Sequence, residues 1–124
     1  MFAAVTLGAF GAHGLRSTLE ASGHQDTWET AVLYQLVHGL ALFAVGIWQA
    51  VSAEFRHRSV LRAAAWLWLF GIILFSGSLY WLSLSGPKWL GPVTPIGGLC
   101  FLAGWLALAI GGWRAGHAEP FHSA

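Results

Sequence analysis

The chain has 124 residues, of which 56% are hydrophobic and only 9% are charged, with a formal net charge of +1 at pH 7. Soluble domains carry roughly a quarter charged residues, so this composition excludes an ordinary soluble domain and predicts a protein of the lipid bilayer. The small net charge gives no support to nucleic-acid binding. The single cysteine, Cys100, excludes a disulfide within the chain and any CxxC metal or redox site.

The first apolar run, residues 1–14, predicts a short helix. Steps of three and four residues place Gly8 and Gly11 on one side of this helix, which favours close packing against another helix. Residues 1–12 contain no Lys or Arg, so we expect this run not to be a secretory signal peptide. Fourteen residues of helix span about 21 Å of a hydrocarbon core of roughly 30 Å. We therefore expect the natural first helix to begin upstream of Met1.

The second apolar run follows a polar connection, residues 15–30, in which a short interfacial helix is expected. Asp26 and Glu29 have the spacing of a capping box, in which two side chains satisfy the open backbone amides of a helix start. The second helix is therefore predicted to begin near Thr27 and to cross the membrane over residues 31–52.

The third and fourth spans are predicted over residues 60–84 and 93–113, with a polar tail at residues 114–124. Pro95 falls in the first turn of the fourth helix, where its missing N–H costs little. The predicted fold class is therefore an all-α integral membrane four-helix bundle. Its four transmembrane helices form a single domain over residues 1–124.

The positions of Lys and Arg predict the orientation of this bundle. With four spans, the side that holds both termini carries four cations, Arg56, Arg58, Arg62 and Arg114. The opposite side carries two, Arg16 and Lys88. Since Lys and Arg accumulate in cytoplasmic connections, we expect both termini in the cytoplasm.

Polar side chains within the apolar runs form the candidate intramembrane site. On the second helix Tyr34, Gln35 and His38 share one side. The predicted topology brings the outer halves of all four helices to the same depth, where the polar residues are His13, Tyr34, Gln35, His38, Ser76, Ser78, Tyr80 and Thr94. Hydrogen bonds between membrane helices contribute about 0.6 kcal/mol each on average. The favoured interpretation is a packing layer that sets the register of the helices.

A face of small residues on the fourth helix carries Gly97, Gly104 and Gly111 at seven-residue steps. This spacing predicts that another helix approaches closely along the whole span. The small-residue faces suit a compact monomer, a homo-oligomer or a complex with a membrane-protein partner equally well.

A functional pocket is the alternative interpretation of the polar residues, because an ionisable side chain inside a membrane is a functional candidate. His38 would then relay protons, or bind a small ligand with Tyr34 and Gln35, as in a small transporter. A metal site formed by His13 and His38 lacks the third and fourth ligands that zinc requires. The sequence contains no nucleophile elbow, P-loop, dinucleotide fingerprint or HExxH motif. We therefore expect no enzyme activity, no cofactor and no bound metal.

Segments in all four spans resemble one known family. They are GAFGAHGL at residues 8–15, YQLVHGLAL at 34–42, FSGSLYWLSLSG at 75–86 and TPIGGLCFLAGW at 94–105. They are similar to the YgdD family of small bacterial inner-membrane proteins, a domain of unknown function (number 423). The resemblance implies four transmembrane helices and a multi-pass location in the bacterial plasma membrane, and it implies no activity.

Overall fold

A computed structural model describes residues 1–51, 59–84 and 90–116. Over these ranges all elements of regular secondary structure are helical, which confirms the predicted all-α fold class. Helices long and apolar enough to cross a membrane are Gln25–Val51, Ser59–Leu84 and Val93–Arg114, and a shorter apolar helix covers Phe2–Gly14. The predicted connection that contains Arg56 and Arg58, the turn before Lys88 and most of the polar tail lie outside the described residues.

The N-terminal region forms two short helices. Helix α1 (Phe2–Ala9) continues into a π-helical turn (Phe10–Gly14), and α2 (Arg16–Ser22) follows directly. Gly23 ends α2 in the left-handed region at φ 71°, a conformation that costs glycine nothing because it has no Cβ. The expected short helix in this connection is therefore present, and its Leu19 side chain is fully buried.

Helix α3 (Gln25–Val51) begins earlier than predicted. The backbone amide of Trp28 already donates to the carbonyl of His24, at 3.0 Å, because the sharp turn that ends α2 lets the next helix start at once. Asp26 consequently lies inside the first turn of α3, and Glu29 accepts a hydrogen bond from the side-chain amide of the helix's first residue, at 2.7 Å. The predicted capping box of Asp26 and Glu29 is wrong for this reason.

The third span contains a change of helical geometry at its centre. Helix α4 (Ser59–Gly71) passes through a π-helical turn (Ile72–Ser76) into α5 (Gly77–Leu84). A π turn adds a residue to the helical repeat and so rotates the following face relative to an ideal α-helix. Ser76 and Ser78 are both buried after this rotation.

Helix α6 (Val93–Gly116) includes the first residues of the predicted tail and packs lengthwise against the third span. Each of its three regularly spaced glycines lies against a residue of that span. We call these three contacts the glycine seam: Gly97 against Phe75, Gly104 against Trp68 and Gly111 against Val60. A Cβ built on Gly97 would collide with the backbone nitrogen of Phe75. The seam therefore exists only because these positions lack side chains.

The N-terminal helices use the same principle against the start of α3. The indole of Trp28 lies against Gly11 so closely that a Cβ there would overlap it, and Val32 lies against Gly8. The Trp28 indole N–H donates to the carbonyl of Leu7 at 3.0 Å. This contact attaches the short apolar helix to the three longer ones.

Candidate functional site

His38 lies at the midpoint of the 27-residue helix α3 and is 4% exposed. The imidazole is therefore enclosed by protein in the middle of this helix. Its position in the outer half of the membrane, where the sequence places it, stays a prediction.

Both ring nitrogens of His38 have hydrogen-bond partners within the chain. Nδ1 lies 2.9 Å from the carbonyl oxygen of Tyr34, one turn earlier in α3. Nε2 lies 3.1 Å from the indole nitrogen of Trp105 in α6. A carbonyl only accepts and an indole N–H only donates. The network therefore assigns the neutral tautomer, in which Nδ1–H donates to Tyr34 and Nε2 accepts from Trp105.

Aromatic rings surround this imidazole, and we call the group the His38 cluster: His38, Tyr34, Trp68, Phe101 and Trp105. The imidazole stacks on Phe101, with ring centroids 3.6 Å apart and planes inclined by 12°. Trp105 packs against Trp68 with centroids 4.6 Å apart. The cluster thus joins α3, α4 and α6 at the centre of the bundle.

Gln35 and Tyr80 form a second polar contact, between α3 and α5. The Tyr80 hydroxyl donates to Oε1 of Gln35 at 2.7 Å. The Tyr80 ring also meets the Trp28 ring edge-on, with centroids 4.7 Å apart. This pair joins two residues that are 45 positions apart in the sequence.

Ser78 and Thr94 form a third contact, between α5 and α6. The Ser78 hydroxyl donates to the carbonyl of Phe75 at 2.9 Å, and the Thr94 hydroxyl lies 2.8 Å from Ser78 Oγ. Since a hydroxyl carries a single proton, Thr94 is the donor to Ser78. Ser76 is fully buried beside them, and its Oγ has no hydrogen-bond partner.

His13 stands apart from these contacts. It lies in the π-helical turn after α1, and its side chain is exposed, whereas His38 is buried. Across the described ranges no group of three His, Cys, Asp or Glu side chains comes together as metal ligands. In the described part of the chain, polar residues of α3, α5 and α6 thus form hydrogen-bonded pairs, and His13 belongs to none of these pairs.

A lateral groove of about 560 Å³ opens beside the His38 cluster between α3 and α6. Its walls include Tyr34, Phe75, Leu99, Leu102 and Trp105. Leu99 and Leu102 are about two-thirds exposed, so the groove opens towards the hydrocarbon side of α6. The groove is mainly apolar. The His38 imidazole also lines it, and both of its ring nitrogens already have hydrogen-bond partners.

Sequence reasoning missed the aromatic half of the site. Trp105 lies deep inside the predicted fourth span, whereas tryptophans of membrane proteins usually lie near the membrane boundaries. That depth was the available signal, because a buried indole N–H needs an acceptor. His38 is at the matching depth of a neighbouring helix. Phe101 gave no such signal, since an apolar ring is ordinary in a membrane span. The same rule would not have placed Trp68, whose buried indole nitrogen has no hydrogen-bond partner among the described residues.

Comparisons with known proteins give a consistent result. A family model described as a protein of unknown function (DUF423) matches residues 7–98. The chain is 45% identical over 111 residues to a UPF0382 membrane protein of Staphylococcus saprophyticus, covering 90% of this chain and 88% of the relative. It is 44% identical over 115 residues to one of Haemophilus influenzae, covering 92% and 87%. It is 39% identical over 107 residues to YwdK of Bacillus subtilis, covering 86% and 84%. No solved structure matches the chain.

Proposed function

We propose that this chain, which belongs to the DUF423 family of membrane proteins, is a structural or accessory protein of the bilayer. Its polar and aromatic interior holds the helices in one register, and its outer surface meets lipid or another membrane protein. The proposal includes the finer resemblance to the YgdD members of the family. It also includes a bacterial inner-membrane location with both termini in the cytoplasm, and no enzyme activity.

One observation carries this proposal: each ring nitrogen of His38 is bonded to another group of the same chain. A proton relay or a ligand site needs a nitrogen that exchanges partners with water or ligand. Here Nε2 is occupied by Trp105 and Nδ1 by the Tyr34 carbonyl. Gln35 with Tyr80 and Ser78 with Thr94 likewise satisfy one another. Mutual satisfaction of this kind supports packing between helices.

A small proton-linked transporter or ligand-binding protein is the second candidate, and the groove beside the His38 cluster favours it. A molecule seated there would touch Tyr34 and Trp105. This function requires the Trp105 bond to open so that Nε2 becomes available. The two candidates therefore differ in what happens at the bond between His38 and Trp105.

A double-mutant cycle on that bond tests the structural function. The variants are His38→Ala, Trp105→Phe and both together, with unfolding measured in detergent micelles. We expect both single variants to destabilise the bundle, with a coupling energy of about 0.6 kcal/mol and no more than about 1.7. Trp81→Phe is the matched control, since Trp81 is 65% exposed, and its coupling to His38→Ala should be zero.

The accessibility of position 38 to water distinguishes the structural function from the transporter. His38→Cys in a Cys100→Ser background is exposed to a small water-soluble thiol reagent in membranes. The structural function predicts no modification, because the side chain is enclosed at mid-span. Rapid modification, together with a coupling energy of zero, would reject the structural function in favour of the transporter.

A further inference from the structure

A second groove, away from the His38 cluster, lies between the end of α3 and the start of α4. It measures about 350 Å³ and is lined by Leu42, Gln49, Arg62, Ala65, Trp66 and Leu69. Gln49 and Arg62 lie near the ends of their helices, whereas Leu42 and Leu69 lie nearer to mid-span. The groove is therefore polar at the membrane boundary and apolar towards the bilayer centre, which is the polarity of a phospholipid.

Two polar groups at its boundary end have no partner among the described residues. The side-chain nitrogen of Gln49 is buried and has no hydrogen-bond partner. Arg62 is exposed, and within the described part of the chain the one ion pair joins Arg16 to Glu20. A buried amide N–H without an acceptor costs free energy, as does a cation near hydrocarbon without a counter-ion. An anionic oxygen atom would accept hydrogen bonds from both groups.

We propose that this groove binds one anionic diacyl phospholipid. The guanidinium of Arg62 presents paired N–H groups that match the oxygens of a phosphate. Gln49 donates to a phosphate or ester oxygen of the same molecule. An acyl chain lies along Leu42, Ala65 and Leu69. Trp66, which is 56% exposed at the rim, sits at the headgroup level that tryptophan favours.

The charge of the groove argues for an anionic lipid over a zwitterionic one. A choline headgroup would bring its own cation towards Arg62, whereas phosphatidylglycerol brings a net negative charge. Each Lys or Arg at a membrane surface favours anionic lipid by about fivefold in affinity. A free phosphate ion would pair with Arg62 but would leave the apolar half of the groove empty. The proposed ligand is therefore the phospholipid.

Native mass spectrometry of the purified full chain in detergent tests this proposal. Phosphatidylglycerol and phosphatidylcholine with identical acyl chains are titrated in parallel. We expect the wild-type protein to retain one phosphatidylglycerol with about fivefold preference. Arg62→Gln should remove the preference and Arg62→Lys should keep most of it. Gln49→Leu should weaken retention of both lipids, because it removes a donor without changing charge.

Arg114→Gln is the matched control, because Arg114 lies in the last turn of α6 and does not line the groove. Its preference should equal that of the wild type, and circular dichroism checks that every variant is folded. Equal retention of the two lipids by the wild type overturns the proposal, as does an equal loss in Arg114→Gln and Arg62→Gln. Displacement of the lipid by an equal concentration of inorganic phosphate overturns it in favour of a soluble-anion site. None of these results depends on the His38 cluster.

Discussion

The glycine seam and the His38 cluster join neighbouring helices by different physical means. In the seam, the backbone of Phe75 and the side chains of Trp68 and Val60 fill the spaces that three glycines of α6 leave open. In the cluster, an imidazole bonds to an indole and stacks on a phenyl ring. Dispersion between closely packed atoms is lost as soon as the helices separate, whereas one hydrogen bond between membrane helices contributes about 0.6 kcal/mol.

This difference shows which region mainly stabilises the bundle and which region selects the register of its helices. One added methyl group in the seam has no space, so the seam tolerates no change in volume. One lost hydrogen bond in the cluster leaves the rings packed, so the cluster tolerates it at small cost. The cluster nevertheless selects one rotation of α3 against α6, since His38 and Trp105 meet in a single register.

Gly97→Ala is expected to have the largest effect, because its new Cβ meets the backbone of Phe75, which cannot move without shifting the helix. Overpacking of this kind costs about 1–3 kcal/mol, measured as the free energy of unfolding in detergent. Gly112→Ala is the control, since nothing lies within 4 Å of its new Cβ. If both alanine variants unfold at the same denaturant concentration, the seam does not supply the strength assigned to it.

Gly104→Ala should destabilise somewhat less, because its Cβ meets a side chain, the Trp68 indole, at 2.5 Å. A smaller ring should relieve the clash, so Trp68→Phe combined with Gly104→Ala should recover part of the lost stability. The Trp68 indole nitrogen has no hydrogen-bond partner, so the phenyl ring sacrifices no hydrogen bond. Additive losses in the double variant would show that these two residues do not pack on each other.

Tyr80→Phe tests a polar contact of the same strength class as the bond in the cluster. It removes the hydroxyl that donates to Gln35, and we expect a loss of about 0.6 kcal/mol in the free energy of unfolding. Tyr34→Phe is the control, because the Tyr34 hydroxyl makes no hydrogen bond within the described part of the chain. A loss from Tyr80→Phe as large as that from Gly97→Ala would reverse the ranking of the two regions.

Arg16→Gln is expected to have the smallest effect, since its ion pair with Glu20 lies outside the bundle and both side chains are more than half exposed. The hydrogen bond to Glu20 and its charge raise the pKa of Arg16. A raised pKa stabilises the fold at pH values below the unfolded pKa, which for arginine lies far above neutrality. The small difference in the free energy of unfolding between wild type and Arg16→Gln should therefore be the same at every pH between about 5 and 9.

The N-terminal contact shows how far sequence reasoning reached. The small-residue face with Gly8 and Gly11 predicted close packing, and the structure places Val32 and Trp28 against these glycines. Which side chains fill the space was not predictable, because any large residue of a neighbouring helix suits a gap. His13 shows the converse: similar predicted depth alone does not decide which residues meet, since His13 is exposed whereas His38 is buried.

By itself, the sequence determined the membrane environment, the apolar helices and the helix faces that lack side chains. It could do so because these properties depend on hydrophobicity and on helical periodicity, which are local. Only the tertiary structure decided that His38 bonds to Trp105, a residue 67 positions away, and that the π turn in the third span buries Ser76 and Ser78. Such pairings depend on the rotation and depth of each helix relative to its neighbours, and packing of all the helices together sets those quantities.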